Sequence, residues 1–188
     1  ASYYGGAIYA YLRSSPDVND STFTGNLSTN SGYGGGAIYA EQTNRTVDIV
    51  DCEFEGNEAQ VGYGGALYFY NYANLEVSGV TFTDNLAYYS GGAIYQVGYS
   101  RLDVEGGSFS GNEAQNSNGG AVYFYPYTLD LYDLRLRSSR FVDNTALQSG
   151  GAVYTLYADD FAAHRYGTVV LDEIMKIRGR GGAQARRG

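Results

Sequence analysis

The 188-residue chain has no tryptophan, two prolines, and a single cysteine, methionine, histidine and lysine. A lone Cys52 excludes an internal disulfide. His164 has only Asp159 and Asp160 near it, and no Cys or His partner at metal-ligand spacing, which argues against a transition-metal centre. No apolar run reaches transmembrane length, so no membrane insertion is expected within this segment. No signal-peptide pattern is visible. The opening SYYGGAIY already lies inside a repeat, as expected for a piece of a longer chain. The net charge of −8 argues against nucleic acid as a partner. That charge is uneven: residues 1–163 carry 6 Arg against 18 Asp/Glu, and residues 164–188 carry 6 Lys/Arg against 2 acids. No stretch shows the i, i+3, i+4 stripe of an amphipathic helix.

What is abundant is glycine (27) and tyrosine (21), and both recur in phrase. GGAIY stands at 5–9, 35–39 and 91–95, GGALY at 64–68, and GGAVY at 119–123 and 150–154. The second glycines lie 30, 29, 27, 28 and 31 residues apart. A second phrase keeps step with the first: FTGN at 23–26, FEGN at 54–57, FTDN at 82–85, FSGN at 109–112 and FVDN at 141–144. Such a period marks a solenoid, whose units bury their apolar faces against one another.

Within a unit the polarity alternates with period two, which is the strand pattern. Seven and five residues before Phe stand Val47 and Ile49, Leu75 and Val77, Leu102 and Val104, and Leu134 and Leu136; Pro16 and Val18 are the weaker first pair. Two residues before Phe the parity shifts, at Cys52, Val80, Gly107 and Ser139, so a bend separates two short strands. The GGAIY phrase supplies a third. The expected fold is therefore all-β, a right-handed parallel β-helix with three short strands per coil and five to six coils of 27–31 residues. At ~4.8 Å per coil the rod is roughly 25–30 Å long. Residues 1–157 form the repeat domain, and 158–188 a terminal strand (TVVLDEI) with a basic, flexible tail.

The pairing of FxxN with GGA[I/L/V] over roughly residues 1–157 resembles the repeat of the polymorphic outer-membrane proteins, the chlamydial-type autotransporter adhesins. The resemblance implies an extracellular or cell-surface β-helix that acts as an adhesin or spacer without catalysis. β-Helices also host lyases and structural rods, so fold alone does not choose among these.

Each column of the repeat has an expected role. Asn26, Asn57, Asn85, Asn112 and Asn144 form an amide ladder at a bend. Phe23, Phe54, Phe82, Phe109 and Phe141 stack in the interior. Ile8, Ile38, Leu67, Ile94, Val122 and Val153 stack beside them, and the glycines turn a tight corner. No helix follows those glycines, so they are not a phosphate cradle. If the aliphatic residue points inward, Tyr9, Tyr39, Tyr68, Tyr95, Tyr123 and Tyr154 point outward, with Tyr11, Tyr70 and Tyr125 two residues further on. This column is expected to stack on itself and to present a flat face to a glycan, a protein or a neighbouring rod. Asp17, Asp48, Glu76 and Asp103, ending in Arg135, form an outward acidic column, either a solvated face or a place for Ca²⁺. Asn19, Asn26 and Asn44 fall in glycosylation sequons.

Two further classes compete. Uncapped ends allow a filament subunit, self-associating end to end or through the tyrosines. A polysaccharide lyase or hydrolase needs clustered carboxylates with a basic residue. The sole insertion, PYTLDLYDLRLRSSR, offers Asp130, Asp133, Arg135, Arg137 and Arg140, which read more simply as surface ion pairs. An antifreeze face needs a regular Thr column, and Thr22/Thr24 and Thr81/Thr83 recur in only two units.

Overall fold

Each unit has one apolar face, and the computed structural model shows how it is covered. The structure describes residues 4–29, 31–127, 133–155, 169–172 and 176–180. Among these residues there is no helix. Every strand pairing is parallel and joins equivalent residues of successive units. Three sheets result, running the length of a solenoid.

The first sheet stacks Ile8–Tyr11, Ile38–Glu41, Leu67–Tyr70, Ile94–Gly98, Val122–Pro126 and Val153–Thr155. The second stacks Val18–Asn19, Thr46–Val50, Asn74–Ser78, Leu102–Glu105, Leu134–Arg137 and Val169–Asp172. The third begins with Thr22–Thr24, Glu53–Glu55, Thr81–Thr83 and Ser108–Ser110. Beyond the Asn bend it continues as the two-residue strands Leu27–Ser28, Glu58–Ala59, Leu86–Ala87 and Glu113–Ala114. Arg140–Ala146 runs through both halves. These two-residue strands are too short to show a period, which is why the sequence pattern does not reveal them.

Residues 158–188 differ from expectation. The TVVLDEI stretch supplies Val169–Asp172 beside Leu134–Arg137, but Lys176–Arg180, placed in the flexible tail above, is also a strand. It pairs with Arg140–Ala146, setting Ile177 opposite Phe141. Ile in place of Phe hides this last unit from a search for FxxN. Asn144 faces Gly179 across a register shift, so the Asn column ends there.

The core lies between the three sheets. Phe54, Phe82, Phe109 and Phe141 are fully buried, and their rings, with Phe23, stack nearly parallel at centroid spacings of 4.7, 5.1, 4.8 and 4.7 Å. Beside them run Ile38, Leu67, Ile94 and Val122, all buried. The shifted parity column of Cys52, Val80 and Ser139 is buried as well.

At the bend after each Phe, the Asn amides form a continuous relay. The side-chain nitrogens of Asn26, Asn57, Asn85 and Asn112 donate to the Oδ1 of the next Asn at 2.8–2.9 Å. Each of these residues also donates its backbone N–H to that same oxygen, at 3.0–3.1 Å. The second side-chain N–H of Asn57, Asn85, Asn112 and Asn144 goes to the carbonyl of the Phe one coil back, at 2.9–3.0 Å. A bend in the interior would otherwise strand these backbone groups without partners. Asn26, though within a sequon, has its amide engaged in the relay, whereas Asn19 and Asn44 are exposed.

Candidate functional site

In the first sheet, inward Ile or Leu forces the following Tyr outward. The parallel register then places Tyr9, Tyr39, Tyr68, Tyr95, Tyr123 and Tyr154 opposite one another in turn. Successive ring centroids are 5.6, 4.8, 5.0, 4.9 and 5.2 Å apart, mostly stacked. This column does not present the flat open face the alternation suggests. Tyr9 is 48% exposed, but Tyr39 is 0% and Tyr68 4% exposed, and Tyr95, Tyr123 and Tyr154 are half-buried.

The reason is a second layer. Tyr4, Tyr33, Tyr63 and Tyr89 stand one or two residues before the GG pair in the first four units. From those corners Tyr4, Tyr33 and Tyr63 fold back over the ladder, and Tyr89 packs on Tyr63. Tyr4 lies 4.7 Å from Tyr39 and 5.0 Å from Tyr9. Tyr33 meets Tyr68 edge-on at 6.4 Å. Tyr63 lies 4.5 Å from Tyr95 and 4.9 Å from Tyr89. On the other flank Tyr70, Tyr125 and Tyr127 make a rim, where the Tyr127 hydroxyl donates to the Tyr70 hydroxyl at 3.4 Å. The ladder is thus the floor of an aromatic trench. The repeated Tyr before GG was the available signal for the cover, but periodicity says nothing of which way a corner side chain turns.

Burial sets the acidity of these phenols. Tyr39 is pushed well above its ordinary value by desolvation first, then by Tyr68 and by its hydrogen bond to Glu41, whose Oε2 accepts at 2.9 Å. Tyr68 and Tyr95 are raised by desolvation and then by neighbouring tyrosines. Tyr123 is pushed up to about 12, by desolvation first and Tyr154 second. A phenol raised in the folded state keeps its proton while the unfolded chain loses it. Stability is therefore full below the ordinary value of 10.0 and falls as pH climbs from there toward the folded values. At pH 10.5, Tyr39, Tyr68 and Tyr95 are each expected to cost about 0.8 kcal/mol, roughly 2.5 kcal/mol together. Urea unfolding at pH 8 and pH 10.5 measures this; equal midpoints would show the ladder phenols to be solvated.

The acidic column lies on the second sheet, with Asp48, Glu76, Asp103 and Arg135 in register. Asp17, ahead of Val18, is exposed. Arginines bridge the column's later members. Arg101 meets Glu76 at 3.2 Å, and Arg137 meets Asp103 at 2.7 Å and Glu105 at 3.0 Å. Arg135 meets Asp133 at 2.7 Å and Asp103 at 3.7 Å. A shallow hollow of about 210 Å³ is lined by Asp48, Glu76, Asp103, Glu105 and Arg137 among others. Among the described residues, no three His, Cys, Asp or Glu side chains converge to hold a metal ion. The insertion's Asp133, Arg135 and Arg137 thus serve ion pairs, and Arg140 is exposed; Asp130 and His164 lie outside the described residues.

Comparison with known proteins agrees with this architecture. The family model described as "Right handed beta helix region" matches residues 6–162. Over 155 residues, 80% of this chain, the sequence is 37% identical to the probable autotransporter YfaL of Escherichia coli (strain K12). This chain spans 11% of that protein's length. No solved structure matches the chain.

Proposed function

The chain belongs to the right-handed β-helix family, and on that premise we propose that it is a segment of an autotransporter-type passenger, a non-catalytic rod displayed at the cell surface. Its tyrosine trench is the surface through which it touches a glycan or protein. The observation that carries the reading is the axial column of stacked tyrosines, which carries no corner ring over Tyr123 and Tyr154 among the described residues, on an otherwise uniform rod. Exposed aromatic stretches on such rods mark contact sites. The ion pairing of the acidic sheet supports a structural role for the carboxylates that a polysaccharide-active enzyme would need free.

Antibodies to the chain are expected to label intact cells that carry the parent protein. Labelling only after permeabilisation would overturn surface display. On an array of immobilised glycans and extracellular proteins, the chain is expected to bind, and Tyr123→Ala/Tyr154→Ala to weaken that binding at least about tenfold. Unchanged binding by the double variant would remove the trench from the contact.

A further inference from the structure

The trench changes character along the rod. Over the first four coils, corner tyrosines occupy it. The corresponding corners of the last two coils read Asn116-Ser117-Asn118 and Leu147-Gln148-Ser149. Over Tyr123 and Tyr154 no corner ring is laid among the described residues; their ring partners are Tyr95 and each other.

We infer that the stretch floored by Tyr123 and Tyr154 binds a neutral glycan chain lying along the rod axis, with one pyranose ring over each coil. This rests on the contact-surface reading above and specifies its ligand. The molecule itself shows what the trench accepts. Over Tyr95 it holds Tyr63, a flat six-membered ring with a hydroxyl at its edge, at 4.5 Å. A pyranose has the same ring size, an apolar C–H face for the aromatic floor and hydroxyls at its rim.

The spacing agrees as well. The floor rings recur at 4.9 and 5.2 Å, close to the advance of one sugar in an extended chain, and because they stack within 14° of parallel they offer it their outer edges. The surroundings select against charge. The trench-forming residues 115–119, 122–127, 147–150 and 153–155 include no Asp, Glu, Lys or Arg. What they offer instead are neutral hydrogen-bonding groups, the amides of Asn116, Asn118 and Gln148 on the corner flank. An anionic glycan or a charged protein patch would lose hydration there and gain no counter-charge from the described residues.

The test restores the missing cover. Asn118→Tyr places a ring at the corner before GG, as Tyr63 does two coils earlier. Titration calorimetry with cellohexaose and maltohexaose is expected to show binding of at least one by the parent chain. Asn118→Tyr is expected to weaken it more than about tenfold, and Tyr154→Ala several-fold, while Tyr11→Ala at the opposite end leaves it unchanged. Tyr154→Ala keeps the test valid should Asn118→Tyr misfold, and circular dichroism reports folding of each. Failure of both neutral hexaoses to bind overturns the inference, as does tighter binding of hexagalacturonate. If no sugar binds but Asn118→Tyr abolishes capture by a protein spot on the array, the ligand is a protein and the contact-surface reading stands. A parent dimer dissolved by Asn118→Tyr would assign the stretch to a second copy. Array binding that survives both variants overturns the contact surface itself.

Discussion

Gly65→Ala is expected to leave no folded protein, a loss of more than about 4 kcal/mol, whereas Gly56→Ala should cost only about 1–2 kcal/mol. Both residues are glycines of the repeat, but they serve different ends. Gly56 has a φ of +58°, and a Cβ there would meet nothing, so the cost is that of a left-handed alanine alone. At Gly65 a Cβ would press into the carbonyl oxygen of Gly92 in the next coil. It would also stand 2.6 Å from the nitrogen and 2.7 Å from the carbonyl carbon of Leu86. All of these are backbone atoms of stacked strands, so no side chain can swing aside. Its neighbour Gly64 is required for another reason, a φ of +65° at which a Cβ would strike the carbonyl of Leu67. The doubled glycine thus joins a dihedral requirement to a close approach between coils. Soluble yield and urea unfolding followed by circular dichroism measure the pair. A Gly65→Ala variant that unfolds within about 1 kcal/mol of the parent would refute this account of the corner.

Asn85→Ala should destabilise by about 4 kcal/mol, and Asn26→Ala by about 1 kcal/mol. Removing the Asn85 side chain strands the backbone N–H of Asn57 and one of its amide hydrogens, both buried, and takes a donor from the Phe54 carbonyl. Each orphaned buried donor costs on the order of 1–3 kcal/mol. Asn26 stands at the start of the relay and is only part-buried. Its loss leaves Asn57 Oδ1 a single donor fewer, and every other bond of the ladder remains. Asn85→Asp adds a pH signature. Its second oxygen would face the acceptors Asn112 Oδ1 and Phe54 O, so burial and repulsion raise its pKa. The variant should therefore be most stable at low pH, where the protonated acid donates, and lose stability as pH rises. Equal effects of Asn85→Ala and Asn26→Ala on the urea midpoint would contradict the relay.

The columns of this fold were legible because each position recurs. Phe, Asn, the aliphatic residue and the two glycines repeat at fixed offsets, and a parallel solenoid turns equal offsets into stacked neighbours. Alternation also indicates on which side of the wall Tyr39 stands. What it does not contain is what lies above that wall. Tyr4, Tyr33, Tyr63 and Tyr89 recur before the GG pair, but a corner has no in-and-out alternation to aim them, so the burial of Tyr39 and Tyr68 emerges only from the packed loops. Arg135 and Arg137 were legible as ion-pairing residues, but Arg101 and the particular carboxylate each arginine meets were not, because reach across coils is set by long side chains. Ile177 escaped because the last unit keeps the pairing of the third sheet while losing the Phe that announces it.

The stacking of coils also sets how the rod bears load. Bonds between coils run along the rod axis, so tension along that axis falls on them in series, and the end coil carries no help from those behind it. Force then peels the molecule one coil at a time. Each step frees a segment of 27–31 residues, about 100 Å of extended chain, from a layer only ~4.8 Å thick. Compression meets the opposite response, because it closes the aromatic and amide columns on themselves. Such a rod is stiff when pushed and yields in discrete, long steps when pulled.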